Sequence, residues 1–293
     1  MNIQVVTDST SNIPKEVADQ LGIKIIPLSF TFGDEQIKET EIENVEFYRL
    51  MEAKNKIPQS SQPPVKDFID IYEECARNGK KVLGIFLSDK MSGTYNTAVM
   101  AGGMVRESWG KFEIQVINSK TNCMDMGYAV IKAAEEAMEG KSFEQVVETA
   151  KHMLRCSRFL FAPKNLTHLR KGGRIGGAGA LVGNMLKINP ILTVNDEGDA
   201  DIYDKVRTQK KAIKRIVENF KQETDSFGLR NVTVHHINAL SEAEVLAKII
   251  EGIIGKTPSI MPIGPIIGLH VGPGTIGLAY TTEEEIRKER IYE

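Results

Sequence analysis

Ile3-Gln4-Val5-Val6-Thr7-Asp8-Ser9-Thr10-Ser11-Asn12 is a short β-branched run that stops at a cluster of small polar residues. The run reads as a strand, and Asp8 to Asn12 has the chemistry of a turn and a helix cap. Pro14 falls in the first turn of the helix that follows, where its missing N–H costs nothing, and Gly22 ends that helix. The same rhythm repeats outward from this unit. Ile23 to Phe32 is a second strand interrupted by Pro27, and Asn44 can cap a helix running to about Ala53. A helix resumes near Val65 and ends by Gly79. Val82 to Leu87 reads as a buried strand, followed by Ser88 to Thr94 and a long helix, and Glu113 to Asn118 is another strand. Strand–helix alternation through about residue 120 predicts a parallel α/β sheet.

Two stretches interrupt or change that rhythm. Lys54 to Pro64 carries Pro58, Pro63 and Pro64, which exclude both a helix interior and a central strand, leaving an ordered loop or a surface linker. Two helices follow residue 120, the second opening with Ser142 and Gln145 at capping-box spacing. Past residue 156 come a strand-like Arg158 to Pro163, a glycine-rich stretch, a hairpin around Asp196-Glu197-Gly198, and a basic helix capped by Thr208. Asn231 to Ile237 is a strand, Ser241 and Glu244 have the spacing of a second capping box, and Ile267 to His270 and Leu278 to Thr281 read as further strands. The chain is thus expected to be α/β with two domains: an N-terminal parallel-sheet α/β domain over 1–155 and a C-terminal α+β domain over 156–293.

Composition narrows the function classes. Of 293 residues, 41% are hydrophobic, enough for a sizeable core. Lys plus Arg number 37 against 39 Asp plus Glu, so no global basic field exists to hold nucleic acid. No apolar stretch approaches a membrane span, and the N-terminus lacks the basic and apolar regions of a secretory signal. Cys75, Cys123 and Cys156 are far apart without a CxxC pair. That fits a reducing cytoplasm, with no disulfide framework and no zinc ribbon.

Ligands of open α/β sheets bind at the carboxyl ends of strands. That rule selects Asp8 to Asn12, Ser88 to Thr94, Ser119 to Asn122 and His270 to Gly277, all rich in hydroxyls, glycine or both. No GxSxG elbow, GxxxxGK[ST] loop or HExxH occurs. Gly172 to Gly179 does not match GxGxxG spacing and is read as a flexible connection that lets two backbones approach. His235 and His236 point to opposite faces of a strand, so no metal site is expected from them. His270 precedes Val271-Gly272-Pro273-Gly274, whose backbone N–H groups and small side chains let a head group come close. A buried, satisfied core histidine fits the same spacing. In the basic helix Ile213, Ile216, Val217 and Phe220 form the apolar stripe. Lys205, Arg207, Lys210, Lys211, Lys214 and Arg215 form either a solvated face or a docking patch for an acidic partner.

Six segments together resemble the DegV family: Val6-Thr7-Asp8-Ser9-Thr10, Ser60-Ser61-Gln62-Pro63, Ser92-Gly93-Thr94-Tyr95-Asn96, Leu169-Arg170-Lys171-Gly172-Gly173-Arg174-Ile175, Lys205-Val206-Arg207 and His270-Val271-Gly272-Pro273-Gly274. Each is weak alone, but all six occur in order along the whole chain. The resemblance implies a two-domain α/β protein that binds one long-chain fatty acid, such as palmitate, stearate or oleate, in a buried tunnel and uses no cofactor. It further implies a non-catalytic cytoplasmic subunit that presents the carboxylate to a separate ATP-binding fatty-acid kinase subunit, yielding an acyl phosphate for phospholipid synthesis, with room for transient contact with a membrane. The implied carboxylate ligands are Ser60, Ser92 with Gly93, and His270, with Ser61 as a second loop hydroxyl and Arg170 as support of the site. Arg207 and Lys211 are candidates for partner docking. Ser60 and Val271 each stand where the family has threonine, changes that bear on chain preference and head-group hydrogen bonding.

The energetics agree with that implication. A chain of about 15 methylenes gives a gross ~12 kcal/mol on burial, from which association costs are subtracted. Each hydrogen bond to the carboxylate adds about 1.5–3 kcal/mol. The tunnel should therefore set affinity, and the head-group residues orientation. The alternatives are a Ser/His acyl- or phosphoryl-transfer enzyme, with Ser92 as nucleophile and His270 as base, and a plain lipid carrier without a kinase partner.

Overall fold

A computed structural model describes residues 2–287, 290 and 292. In chain order the elements are β1 (Ile3–Asp8), α1 (Lys15–Leu21), β2 (Lys24–Ile26), β3 (Ser29–Phe32), β4 (Glu35–Lys38), α2 (Asn44–Ala53), β5 (Gln59–Ser61), α3 (Val65–Arg77), β6 (Lys81–Phe86), α4 (Thr94–Trp109), β7 (Ile114–Asn118), α5 (Cys123–Met138) and α6 (Phe143–Arg155). There follow β8 (Ser157–Ala162), α7 (Thr167–Gly172), a 3-10 segment over Gly176–Lys187, β9 (Asn189–Val194), β10 (Ala200–Val206), α8 (Gln209–Phe227), β11 (Asn231–Ile237), α9 (Leu240–Ile254), β12 (Ser259–Pro262), α10 (Pro265–Val271) and β13 (Thr275–Thr281).

The first sheet has the order β2-β1-β6-β7 and is wholly parallel, as the alternation predicts. Burial of all six residues of β1 follows from helices covering both faces. Asp8 accepts hydrogen bonds from Thr10 N–H and hydroxyl and, through its other oxygen, from Leu87 N–H, so the expected cap also ties β1 to the end of β6. The second sheet, β10-β9-β8-β13-β11-β12, is antiparallel except for its β11–β12 edge. Helix α5 packs against both β1 and β13, and its Gly127 lets the Ser11 carbonyl approach to where a Cβ would lie only 2.6 Å away. The chain is therefore mixed α/β, with a parallel-sheet domain and a second, mixed-sheet domain.

A third sheet, β4-β3-β5, was not legible as such. Pro27 breaks the expected second strand in two: β2 joins the parallel sheet, while β3 turns away to pair with β4 and β5. The proline-rich stretch supplies β5 as a three-residue edge strand, the place where flanking prolines cost no ladder bond. Phe30, Phe47 and Tyr48 from this sheet and α2 share one core with Phe159, Phe161, Ile266 and Leu269.

Four local expectations fail or hold for identifiable reasons. Ile267 to His270 is the body of α10, not a strand. Pro265 at the first helical position sets its start, and because nearly every residue is buried the apolar run carries no readable period. Ser241 does not form a capping box: α9 starts earlier, with Ala239 at the cap, and Ser241 bonds the Glu242 carboxylate. Ser142 and Gln145 do form their reciprocal box, and Thr208 caps α8 through Lys211 N–H.

Candidate functional site

The polar ends of β5, α4 and α10 converge. Pairing of Phe30 with Ser60 in the small sheet holds the Ser60 side chain against α10. There its Oγ lies 2.8 Å from His270 Nε2. Ser92 and Gly93 sit at the N-terminus of α4, where the Ser92 hydroxyl accepts from Thr94 N–H and pairs with the Thr94 hydroxyl at 2.9 Å. An anion here meets the positive end of a 16-residue helix. Ser60, Ser61, Ser92, Gly93 and His270 all line one cavity of about 340 Å³, within the range of small-molecule pockets. Its remaining walls are mostly apolar: Leu28, Leu87, Met91, Phe159, Phe161, Leu169, Ile263, Ile266 and Ile267.

Burial, with a smaller contribution from the nearby Arg174 guanidinium, pushes the His270 pKa down to about 4, so the imidazole is neutral at pH 7. Its Nδ1 is buried with no hydrogen-bond partner among the described residues. A buried orphan N–H is costlier than an orphan lone pair, which favours the proton on Nε2, donated to Ser60 Oγ. The Ser60 hydroxyl proton is then available to an anion. The same geometry disfavours the Ser/His enzyme. Ser60, not Ser92, is the hydroxyl bonded to His270, and among the described residues no acid bonds Nδ1 to orient the imidazole.

Sequence reasoning missed three contributors. Arg170, the expected support, is exposed and lines neither this cavity nor the basin outside it. The last turn of α7 and Gly173 in the left-handed conformation bring Arg174 to the mouth instead, where it donates to the Met91 and Gly172 carbonyls. Both arginines belong to one motif, and only the αL turn at Gly173 decides which of them reaches the cavity. Gly172 is needed for contact: a Cβ there would lie 2.3 Å from His270 Nδ1. Gln62 packs on Gly93, whose Cβ would meet Gln62 Oε1 at 2.0 Å, and lines the same cavity.

A broader polar basin of about 930 Å³ lies outside and shares Ser60, Arg174 and His270 with the inner cavity. Helix α8 approaches this end of the molecule, Gln209 donating to the carbonyl of Gly274 in the glycine loop. Arg207 and Lys211 are exposed near its start. Arg215 and Lys214 are tied into ion pairs with Asp204 and Glu218, which leaves Lys205, Arg207, Lys210 and Lys211 as the cations of that face without a carboxylate within 4 Å among the described residues. Among the described residues no group of three His, Cys, Asp or Glu could hold a metal ion, and no helix is long and apolar enough to cross a membrane. Cys75, Cys123 and Cys156 are buried free thiols.

The DegV family model matches residues 2–283. The chain belongs to the DegV family. A DegV domain-containing protein of Clostridium acetobutylicum is 47% identical over 98% of this chain and 100% of its own length. The crystal structure of DegV from Bacillus subtilis, described as a fatty acid binding protein, superposes with a TM-score of 0.87 at 33% identity, covering 96% of this chain and 99% of that one. A stearic acid-binding protein from Eubacterium ventriosum gives a TM-score of 0.86 at 26% identity over 96% of this chain and 98% of its own. The DegV fold thus extends over nearly the whole molecule, including the three segments that meet at Ser60, Ser92 and His270.

Proposed function

We propose that this DegV chain is a carrier that holds one long-chain fatty acid in the 340 Å³ cavity, its carboxylate anchored by Ser60, Ser61, Ser92, Gly93 and His270, and presents that carboxylate to a separate ATP-binding kinase subunit. The observation that carries the reading is the convergence of hydroxyls, a neutral imidazole and a helix N-terminus on one end of an apolar cavity. A carboxylate entering such a cavity needs hydrogen-bond donors, and these groups are donors that carry no fixed charge of their own. In this reading residues 1–155 supply Ser60, Ser92 and the α4 N-terminus. Residues 156–293 supply His270, Arg174 and the aromatic wall of Phe159 and Phe161. The two parts close on the lipid from opposite sides.

The absence of a phosphate loop in the sequence calls for ATP from another chain. Arg207 and Lys211, beside the glycine loop, steer that partner to the mouth. The alternative of a lipid carrier without a kinase differs only in this last step. Calorimetric titration of delipidated protein with palmitate and with oleate tests the carrier. One-site binding of either supports it, and no binding of both refutes it. Acyl-phosphate formation by the loaded protein with a kinase subunit and ATP tests the partner.

A further inference from the structure

We propose that the exposed face of α9 docks a second copy of this chain, the two α9 helices lying antiparallel about a two-fold axis at Ile249. Helix α9 buries Ala243, Leu246, Ala247 and Ile250 against its own sheet. Val245, Ile249 and Ile253 follow one another at i, i+4 and i+8 along another side and stay 56%, 40% and 36% exposed. Gly252 lies beside them. It does not have a positive φ, and an added Cβ would meet nothing within 4 Å, so neither the backbone nor the packing of this chain calls for glycine there. Glycine inside a helix costs stability relative to alanine, and in return it lets a second backbone come close.

The order of residues along this face selects the partner. Glu242, Val245, Ile249, Ile253 and Lys256 are spaced 3, 4, 4 and 3 apart, so the series reads alike from either end, except that its ends carry opposite charges. A two-fold axis at Ile249 sets Ile249 on its own copy and Val245 on Ile253. It also brings Glu242, in the first turn, to Lys256, just past the Gly255 cap, once at each end. Glu242 and Lys256 are exposed, and among the described residues neither belongs to an ion pair, unlike Lys214 and Lys221 of α8. Lys248, beside the stripe, has Glu244 four residues before it, the spacing that balances it within the chain. An isologous contact requires such self-complementarity. A second exposed apolar helix face, Val99, Met100 and Met104 with Gly103 on α4, lacks it, with Glu107 and Lys111 at one end and the uncharged Asn96 at the other. Three apolar side chains from each copy are fewer than the ~800 Å² per partner of a stable complex requires. Pro262 blunts the adjoining edge strand β12, so the sheet does not extend across the axis. The pair is therefore a weak one. No residue of α9 lines either cavity, and pairing leaves both in place.

Sedimentation equilibrium of the full chain at low salt, from about 5 to about 500 μM, tests this, with a monomer–dimer Kd between roughly 10 μM and roughly 1 mM expected. Ile249→Asp sets two carboxylates against each other on the axis and should raise that Kd about tenfold or more. Glu242→Lys or Lys256→Glu alone puts like charges together at both ends and should raise it about threefold or more. Glu242→Lys/Lys256→Glu restores both pairs with their signs exchanged and should return the Kd of the unmodified chain. All three positions are exposed, so an unchanged melting temperature checks that each variant folds. A chain that stays monomeric throughout the range overturns the proposal. So does a dimer indifferent to Ile249→Asp, or a combined variant that associates no better than the single reversals.

Discussion

Gly172→Ala strikes the head-group site through a single atom. The new Cβ would stand 2.3 Å from His270 Nδ1 and 3.1 Å from its Cε1, where ordinary contact begins at 3.4 Å. Gly172 lies in α7 and does not have a positive φ, so alanine costs no backbone strain and even gains helix propensity of up to ~1 kcal/mol. The imidazole must therefore yield by about 1 Å, which takes its other nitrogen out of good hydrogen-bond geometry with Ser60. Losing one donor to a charged head group costs about 1.5–3 kcal/mol, a rise in fatty-acid Kd of roughly 10- to 100-fold. The neighbouring Gly173→Ala is the control. It has open space around its Cβ but φ of +71°, so it should lose about 1–2 kcal/mol of stability and leave lipid affinity within about twofold. Urea denaturation and palmitate titration of both variants give the two readouts. If Gly172→Ala binds palmitate as the unmodified protein does, the Ser60–His270 pair does not anchor the head group.

Three further outcomes are expected. Ser92→Ala and His270→Ala should each lose on the order of 1–3 kcal/mol of lipid binding, and the double variant less than their sum, because both sit at the head group of one ligand; additive losses in a double-mutant cycle would separate them. Glu39, buried and bonded to Ile266 N–H at the start of α10, has its pKa raised to about 7 by burial, against the lowering effect of the Ser9 hydroxyl and that N–H. The folded state then keeps a proton that the unfolded chain, near 4.5, has released, so stability falls as pH rises from 4.5 through about 7. Glu39→Gln should remove this loss and gain about 3 kcal/mol relative to the unmodified protein between pH 4 and pH 8 in paired urea titrations; a pH-independent difference would contradict the shift. Reversing Arg207 and Lys211 to Glu should slow acyl-phosphate formation with a kinase subunit at low salt while lipid loading persists, and normal turnover would make α8 a solvated face.

Much of this was legible because it is local. β1 and its capping turn, the Ser142 box, the Thr208 cap and the hairpin at Gly198 depend on a few adjacent residues, and each appears where the residues put it. The serines and His270 were legible through the resemblance, and they do meet around one cavity. Illegible features were those decided by tertiary context. A run buried on all sides, Pro265–Val271, shows no period, so helix and strand were indistinguishable. The carboxyl-end rule finds Ser92 and Gly93 after β6 and Asn122 after β7 in the cavity wall, whereas Asp8 to Asn12 after β1 do not line it, and His270 precedes an antiparallel strand and reaches the site from α10. The choice between Arg170 and Arg174 turns on one αL residue, and the bond from Ser60 to His270 spans 210 residues.

Native mass spectrometry of the intact protein, purified from a bacterial host without added lipid, tests the central claim most directly. The account predicts one adduct per chain, with the mass of a fatty acid of about 14 to 18 carbons, the length whose methylene burial outweighs the cost of association. It also predicts that Gly172→Ala and His270→Ala lower the loaded fraction. A uniformly lipid-free protein that also takes up neither added palmitate nor added oleate would contradict it.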